Sequence, residues 1–123
     1  MKGDWGLFCL ADADNGEDIL GGRRFTTSSG NMTFDGDGKK ATYKGDHTIF
    51  VDAFEERNRT LTGTWSQPRG SRACTTRSAA GSFYWGRFDF VFDRTLSSFQ
   101  GQFAYCNDTP ILAWTGTEII NPL

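Results

Sequence analysis

The chain has 123 residues, the size of a single domain, and its 37% hydrophobic and 23% charged residues are typical of a folded globular protein. No apolar run approaches the roughly 20 residues that a membrane-spanning helix needs, and a net charge of -2 argues against a general nucleic-acid binder. Fifteen glycines and 15% aromatic residues, with only three prolines, favour strands joined by tight turns. We therefore expect one β domain over residues 1–123, with neither a membrane nor nucleic acid as a partner.

Turn-forming residues recur at short, regular intervals, and the segments between them are rich in Thr, Phe, Val, Ile and Trp. This spacing is typical of an all-β protein built from antiparallel strands. We predict eight strands and consider a ninth, short one around Arg24–Thr27. The eight strands that we predict are Trp5–Leu10, Asn31–Phe34, Ala41–Lys44, Thr48–Phe54, Thr60–Ser66, Tyr84–Phe92, Ser98–Tyr105 and Leu112–Ile119.

The strands of the second half alternate apolar and polar residues with a period of two, which indicates a sheet buried on one face. In Ser98–Tyr105, Phe99 and Phe103 share a face with a glycine, and the opposite face is mostly Ser and Gln. Glycines also interrupt the apolar faces of two other strands, at Gly63 and Gly116. Because small closed barrels need such bends around a narrow core, we predict a single up-and-down antiparallel β-barrel of about eight strands. A β-sandwich is the alternative.

Large aromatic side chains dominate the predicted interior of this barrel. An eight-stranded barrel is either just filled by its side chains or holds one small ligand. Arg87, Arg72 and Arg77 are alternative candidates for the barrel mouth, where a guanidinium would meet an acidic end of such a ligand. The side chains expected to contact an apolar or aromatic ligand are Trp65, Phe88, Phe90, Phe103, Tyr105 and Trp114.

The longest predicted loop, Gln67–Ala80, contains three arginines and several hydroxyl residues but no acidic residue. Guanidinium groups pair well with phosphate and carboxylate. One hypothesis is therefore an anion site formed by Arg69, Arg72 and Arg77, and the other is a solvated, flexible loop.

The three cysteines, Cys9, Cys74 and Cys106, are too far apart in sequence to form a CxxC metal or redox motif. The first residues, Met1–Trp5, do not resemble the start of a signal peptide. We therefore expect a cytoplasmic protein with reduced thiols. A Cys74–Cys106 disulfide, in a protein exported by a leader outside this sequence, is the alternative.

Two features suggest a contact with a second protein or a second copy of the chain. Phe83 and Trp85 have the opposite parity from the core aromatics of their strand, so they are expected on the outer surface. The strand Thr48–Phe54 is apolar on both faces, and it contributes Ile49 and Val51. The sequence therefore predicts that these four side chains form an interface, with a homodimer as the simplest form.

The order of four motifs resembles small, largely uncharacterised bacterial β-barrel proteins whose strands carry G-T-W and F-x-G-x-W/F patterns. The motifs are Leu61–Ser66, Gly86–Phe90, Phe99–Phe103 and Trp114–Thr117, and the resemblance covers about Thr60–Ile119. It implies a barrel of the avidin or lipocalin type. The motifs carry glycines for bending and aromatics for filling, so the resemblance implies a fold and supplies no ligand site.

These observations predict a non-enzymatic barrel that binds a small hydrophobic ligand. Two alternatives stay open, a protein-interaction barrel with a filled core and a small barrel isomerase or cyclase. An acid–base group for such an enzyme would come from Asp52, Asp89, Glu118 or His47, the single histidine. Neither a cofactor nor a metal ion is expected.

Overall fold

The computed structural model describes residues 19–120, which form eight antiparallel strands in a closed barrel. Within this range we find no helix of a length and apolarity that would let it cross a membrane. The strands are β1 (Arg24–Thr27), β2 (Asn31–Phe34), β3 (Lys40–Tyr43), β4 (His47–Glu55), β5 (Thr60–Gln67), β6 (Tyr84–Phe92), β7 (Ser98–Phe103) and β8 (Leu112–Glu118).

Each strand pairs with its neighbours in sequence, and β1 closes the barrel against β8. The closing register places Phe25 opposite Glu118 and Thr27 opposite Gly116. This closure confirms the predicted up-and-down barrel and excludes the β-sandwich. The ninth candidate strand, Arg24–Thr27, is the one that closes the barrel against β8. The predicted strand Trp5–Leu10 lies outside the described residues.

The interior is filled by aromatic rings over most of the barrel's height, as the alternation of the later strands predicts. Phe25, Phe90, Phe92 and Phe99 are each at most 2% exposed. Phe90 and Phe99 stack with their ring centroids 4.0 Å apart, and Phe25 meets Phe99 nearly edge to face at 5.8 Å. Such pairs add about 0.5–1.5 kcal/mol each beyond the area that they bury.

A β-bulge in β4 changes which of its residues face the interior. The register against β5 shifts between Val51 and Ala53, so the extra residue, Asp52, lies exposed in the bulge. As a result Ile49 (0% exposed) and Phe54 (5%) both face the core although their parities differ. The apparent two-sided apolar character of this strand therefore reflects the bulge, and the prediction that Ile49 forms an interface is wrong.

One end of the barrel is closed by aliphatic side chains and an arginine. Leu20 is fully buried and Leu96 is 9% exposed, and both pack against the aromatic core. Arg23 donates through Nε to the carbonyl of Ile19 (3.0 Å), and its Nη1 lies 3.4 Å from Glu118 Oε1. The segment before β1 and the end of β8 are thereby tied together beneath the core.

The long loop between β5 and β6 folds over the outer face of β6. The indole of Trp85 is 8% exposed and donates a 2.8 Å hydrogen bond to the carbonyl of Thr76 in this loop. Cys74 is bonded to Cys106, 32 residues later, in a disulfide that joins this loop to the β7–β8 loop. Trp85 is thus covered by its own chain, which corrects its predicted place at an exposed interface, and the expectation of reduced thiols is wrong for Cys74 and Cys106.

We expect Gly63→Ala to destabilise the barrel. A Cβ at Gly63 would clash with the carbonyl oxygen of Phe50 and lie 2.8 Å from Cζ of Phe88. Overpacking of this kind costs about 1–3 kcal/mol, so the thermal midpoint falls by several degrees. The matched control is Gly36→Ala, where a Cβ meets nothing within 4 Å. Equal thermal midpoints for the two variants would contradict the close approach of Gly63 to the Phe50 carbonyl and to the Phe88 ring.

Candidate functional site

A cavity of about 310 Å³ opens at the barrel end opposite to Leu20, where the β1–β2, β3–β4, β5–β6 and β7–β8 loops meet. Its size lies at the lower end of the range for small-molecule sites. Aromatic side chains form most of its wall, and hydroxyl, amide and imidazole groups form the remainder. The lining residues are Ser28, Ser29, Tyr43, His47, Trp65, Gln67, Phe103, Tyr105, Ala113 and Trp114.

Trp65 is a fixed part of the wall. Its Nε1 donates to the carbonyl of Ala104 at 3.1 Å, and its ring stands nearly perpendicular to that of Tyr105, with the centroids 5.5 Å apart. The neighbouring strand leaves room for the indole at Gly86, where a Cβ would lie 2.6 Å from Trp65 Cζ2. The hydrogen bond and the glycine together hold this ring in one orientation.

Trp114 lies between the cavity and the aromatic core. Its ring centroid is 5.5 Å from that of Phe103 in the wall and 5.1 Å from that of Phe90 below, and it meets the Phe90 ring at 88°. The indole Nε1 is buried and has no hydrogen-bond partner within the described part of the chain. A buried donor without a partner costs about 1–3 kcal/mol, so this position is held by ring packing rather than by polar contacts.

A chain of hydroxyl groups forms one edge of the cavity. Tyr43 is 6% exposed, and its hydroxyl contacts the hydroxyls of Ser29 and Thr27, the latter at 3.0 Å. Thr27 Oγ1 donates to the carbonyl of Gly30 at 2.8 Å within the β1–β2 turn. The turn and β3 therefore hold the Tyr43 hydroxyl in place at the mouth.

His47 begins β4 at the same edge, and its ring centroid lies 5.7 Å from that of Tyr43. Partial burial lowers the pKa of His47 below its ordinary value of 6.5, and the positive charge of Lys44 lowers it further. Asp46, whose Oδ1 lies 3.4 Å from His47 Nε2, acts in the opposite direction without reversing the shift. His47 is therefore mainly neutral at pH 7.

The structure brings together four of the predicted ligand contacts and separates three others. Trp65, Phe103, Tyr105 and Trp114 line the cavity. Phe88 (2% exposed) and Phe90 (0%) lie in the filled core and do not line it, because the barrel interior is packed at their level. Arg87 is exposed on the outer face of β6, one residue out of phase with the interior positions, so it does not reach the mouth.

The arginines of the long loop have separate aromatic partners and do not converge on one point. The guanidinium of Arg72 lies 4.7 Å from the centroid of the Tyr105 ring, and that of Arg77 lies 4.9 Å from the centroid of Phe83. Arg69 is exposed. The loop thus uses two of its cations to cover aromatic rings, and the predicted anion site is not assembled in this conformation.

The polar lining of the cavity was not among the predicted ligand contacts. Tyr43 and Ser29 belong to β3 and to the β1–β2 turn, where the strands are only four residues long and show no clear period. Gln67 follows the predicted end of its strand by one residue. The sequence did point to one polar residue of the lining, because His47, the single histidine, was a candidate acid–base group.

Comparison of the chain with known protein families, with curated proteins and with solved structures found no match. Within residues 19–120, no group of three or more His, Cys, Asp or Glu side chains is placed to hold a metal ion.

We expect the pKa of His47 to lie below 6.5 in the folded protein, because partial burial disfavours the imidazolium. The unfolded chain then binds the proton more readily, so the free energy of unfolding is highest above pH 6.5 and falls as the pH drops towards the folded pKa. His47 is the only histidine, so its NMR ring signals titrate without overlap from another histidine. A measured pKa at or above 6.5 contradicts this, and His47→Gln removes this component of the pH dependence.

We expect the Cys74–Cys106 disulfide to contribute about 3–4 kcal/mol to stability, from the loop-closure entropy of its 32-residue separation. Cys74→Ser together with Cys106→Ser lowers the thermal midpoint of the protein, and a reducing agent lowers that of the wild type in the same way. Peptide mapping after alkylation without reduction is the direct check. Complete alkylation of both cysteines in the native protein would refute the bond.

Proposed function

We propose that this protein is a non-enzymatic barrel that binds a small apolar or aromatic molecule in the cavity at its open end. The observation that carries the proposal is the asymmetry of the interior. The barrel is filled by side chains at the Leu20 end, whereas about 310 Å³ is left open among five aromatic rings at the other. An apolar molecule in this space would bury its surface against ring faces and edges, which supplies the binding free energy.

The lining favours an uncharged ligand. Among residues 19–120, none of the side chains that line the cavity is an acid, a lysine or an arginine, and the pKa of His47 is lowered by partial burial. Arg72 lies on the ring of Tyr105 and pairs with Asp108, at 3.9 Å. A charged molecule would lose hydration in the cavity without gaining an opposite charge, which is costly. An acidic ligand end held by Arg87 is not supported, since that side chain lies on the outer face.

The catalytic alternative has little chemistry within the cavity. Of the four candidate acid–base groups, His47 alone lines it. Asp52 lies exposed in the bulge of β4, Asp89 lies on the outer parity of β6, and Glu118 lies by Arg23 at the closed end. An isomerase or cyclase would have to act through a single imidazole, so binding without catalysis is the simpler use of this site.

The interaction alternative loses most of its predicted surface, because Ile49 and Trp85 are buried and Val51 packs partly buried against the core. Phe83 is 38% exposed but carries Arg77 on its ring. Val91 (47%) lies on β6 and Leu112 (42%) on β8, which β7 separates. A homodimer therefore stays a prediction. The disulfide between Cys74 and Cys106 supports an oxidising compartment over the predicted cytoplasm.

The first test is native mass spectrometry of the purified protein at several concentrations. A bound molecule of a few hundred daltons that is lost on denaturation supports the proposal, and a dimer free of ligand favours the interaction alternative. A calorimetric titration with an aromatic probe such as 2-naphthol then measures the affinity of the protein for a ligand of this class.

We expect Phe103→Ala to weaken 2-naphthol binding by roughly tenfold, since an aromatic contact contributes about 1 kcal/mol or more. The matched control is Phe50→Ala, which removes a phenylalanine from the outer side of β4, where Lys40 Nζ lies 6.0 Å from its ring. Equal effects of the two substitutions would place the probe outside the cavity and contradict the proposal.

A further inference from the structure

We infer that the cavity releases its ligand as the pH falls from neutral to mildly acidic values, because a bound ligand displaces the water that the charged form of His47 needs. This inference rests on the proposed function and adds a regulation of the same site to it. The observations behind it are the place of the His47 ring in the cavity wall, its residual exposure and the charged groups around it.

His47 is the group of the wall that can change its charge near neutral pH. Among the lining residues of the described part of the chain, it alone has a side chain that ordinarily titrates between pH 5 and 8. It is paired with Tyr43 on the neighbouring strand, and the two ring centroids lie 5.7 Å apart. The His47 side chain is 19% exposed. A ring that lines the cavity and keeps part of its surface exposed can be hydrated from the cavity.

An apolar ligand in the cavity would replace this water with carbon. The imidazolium then loses hydration, whereas the neutral imidazole loses much less, because burial without a partner disfavours the charged form. A ring face or a dipole of an uncharged ligand returns only part of that hydration. The occupied site therefore binds a proton at His47 less readily than the ligand-free site. Linkage is reciprocal, so the protonated protein binds the ligand less tightly.

Two charged side chains of the β3–β4 turn act on His47 in opposite directions. Asp46 Oδ1 lies 3.4 Å from His47 Nε2 and favours the imidazolium, but the Asp46 side chain is 61% exposed, so solvent weakens the attraction. Burial, the largest effect, and the charge of Lys44 together lower the pKa of His47. Both charges are present with and without a ligand. They therefore set the pH at which release occurs, whereas the lost hydration sets its direction.

The other ionisable groups near this site keep one charge state between pH 5.0 and 7.5. Tyr43 and Tyr105, in the cavity wall, carry phenols, which are neutral throughout this range. Arg72 lies on the Tyr105 ring and pairs with Asp108 at 3.9 Å, and guanidinium and carboxylate groups are ordinarily charged over the same range. Within residues 19–120, the change is thus assigned to His47.

The test is a calorimetric titration with 2-naphthol at pH 7.5 and at pH 5.0, where this probe is uncharged because phenols ionise near pH 10. We expect the affinity to be about three- to tenfold weaker at pH 5.0, as one linked proton allows. Circular dichroism checks that the protein is folded at both pH values. NMR of the His47 ring with and without saturating 2-naphthol is the second readout. The ligand is expected to lower the pKa of His47, and linkage requires this lowering to account for the loss of affinity.

Three variants assign the effect to this ring. His47→Gln keeps an uncharged polar side chain and removes the proton site, so its affinity is expected to be equal at the two pH values. Asp46→Asn and Lys44→Gln are a matched pair that removes opposite charges from one turn. Asp46→Asn is expected to move the loss of affinity to lower pH, and Lys44→Gln is expected to move it to higher pH. If His47→Gln does not fold, the opposite shifts of this pair decide the assignment.

The outcomes separate this inference from the proposed function. If 2-naphthol binds equally tightly or more tightly at pH 5.0, the inference is refuted and the binding function stands. A loss of affinity that persists in full in His47→Gln, or that moves in the same direction in both turn variants, refutes the assignment to His47. If 2-naphthol binds at neither pH, the aromatic-binding function fails, and the inference fails with it.

Discussion

The pairing of β1 with β8 is the constraint on which the remaining structure depends. It removes both edges of the sheet, so the strands must coil around a single interior. The interior is narrow enough that large rings can fill it, and Gly63 and Gly116 provide the room that these rings take. Closure by a strand of only four residues, Arg24–Thr27, is sufficient because the Arg23 contacts with Ile19 and Glu118 reinforce it.

Closure also explains why the two ends of the barrel differ. At one end, Leu20 and Leu96 fold across the opening and complete the apolar core. At the other end, the cavity lies between the rings of Trp65 and Tyr105 and the polar groups of the β1–β2 and β3–β4 turns. Edge-to-face ring pairs occur in the filled core as well as here. The difference between the ends therefore comes from the leucines that cover one opening, and not from the angle at which the rings meet.

Much of the fold was predictable from local pattern, and the limits of that prediction have physical causes. The strand Tyr84–Phe92 has the predicted bounds, and its strict alternation identified the interior positions correctly. In β4 the bulge at Asp52 breaks the period, so the pattern predicted an interface position for Ile49, which lies in the core. The predicted ligand contacts followed ring positions, and they missed Tyr43 because its strand is too short to show which face is buried.

The mouth of the cavity depends on contacts that no local pattern encodes. The Cys74–Cys106 disulfide joins two loops separated by 32 residues, and Arg72 of the first loop covers the ring of Tyr105 in the second. Because Tyr105 lines the cavity, the bond between the loops also limits how far that wall can move. A wall held in place loses little conformational entropy when a ligand arrives. If the proposed function holds, the disulfide therefore connects the stability of the barrel to the affinity of its cavity, since the same bond constrains both.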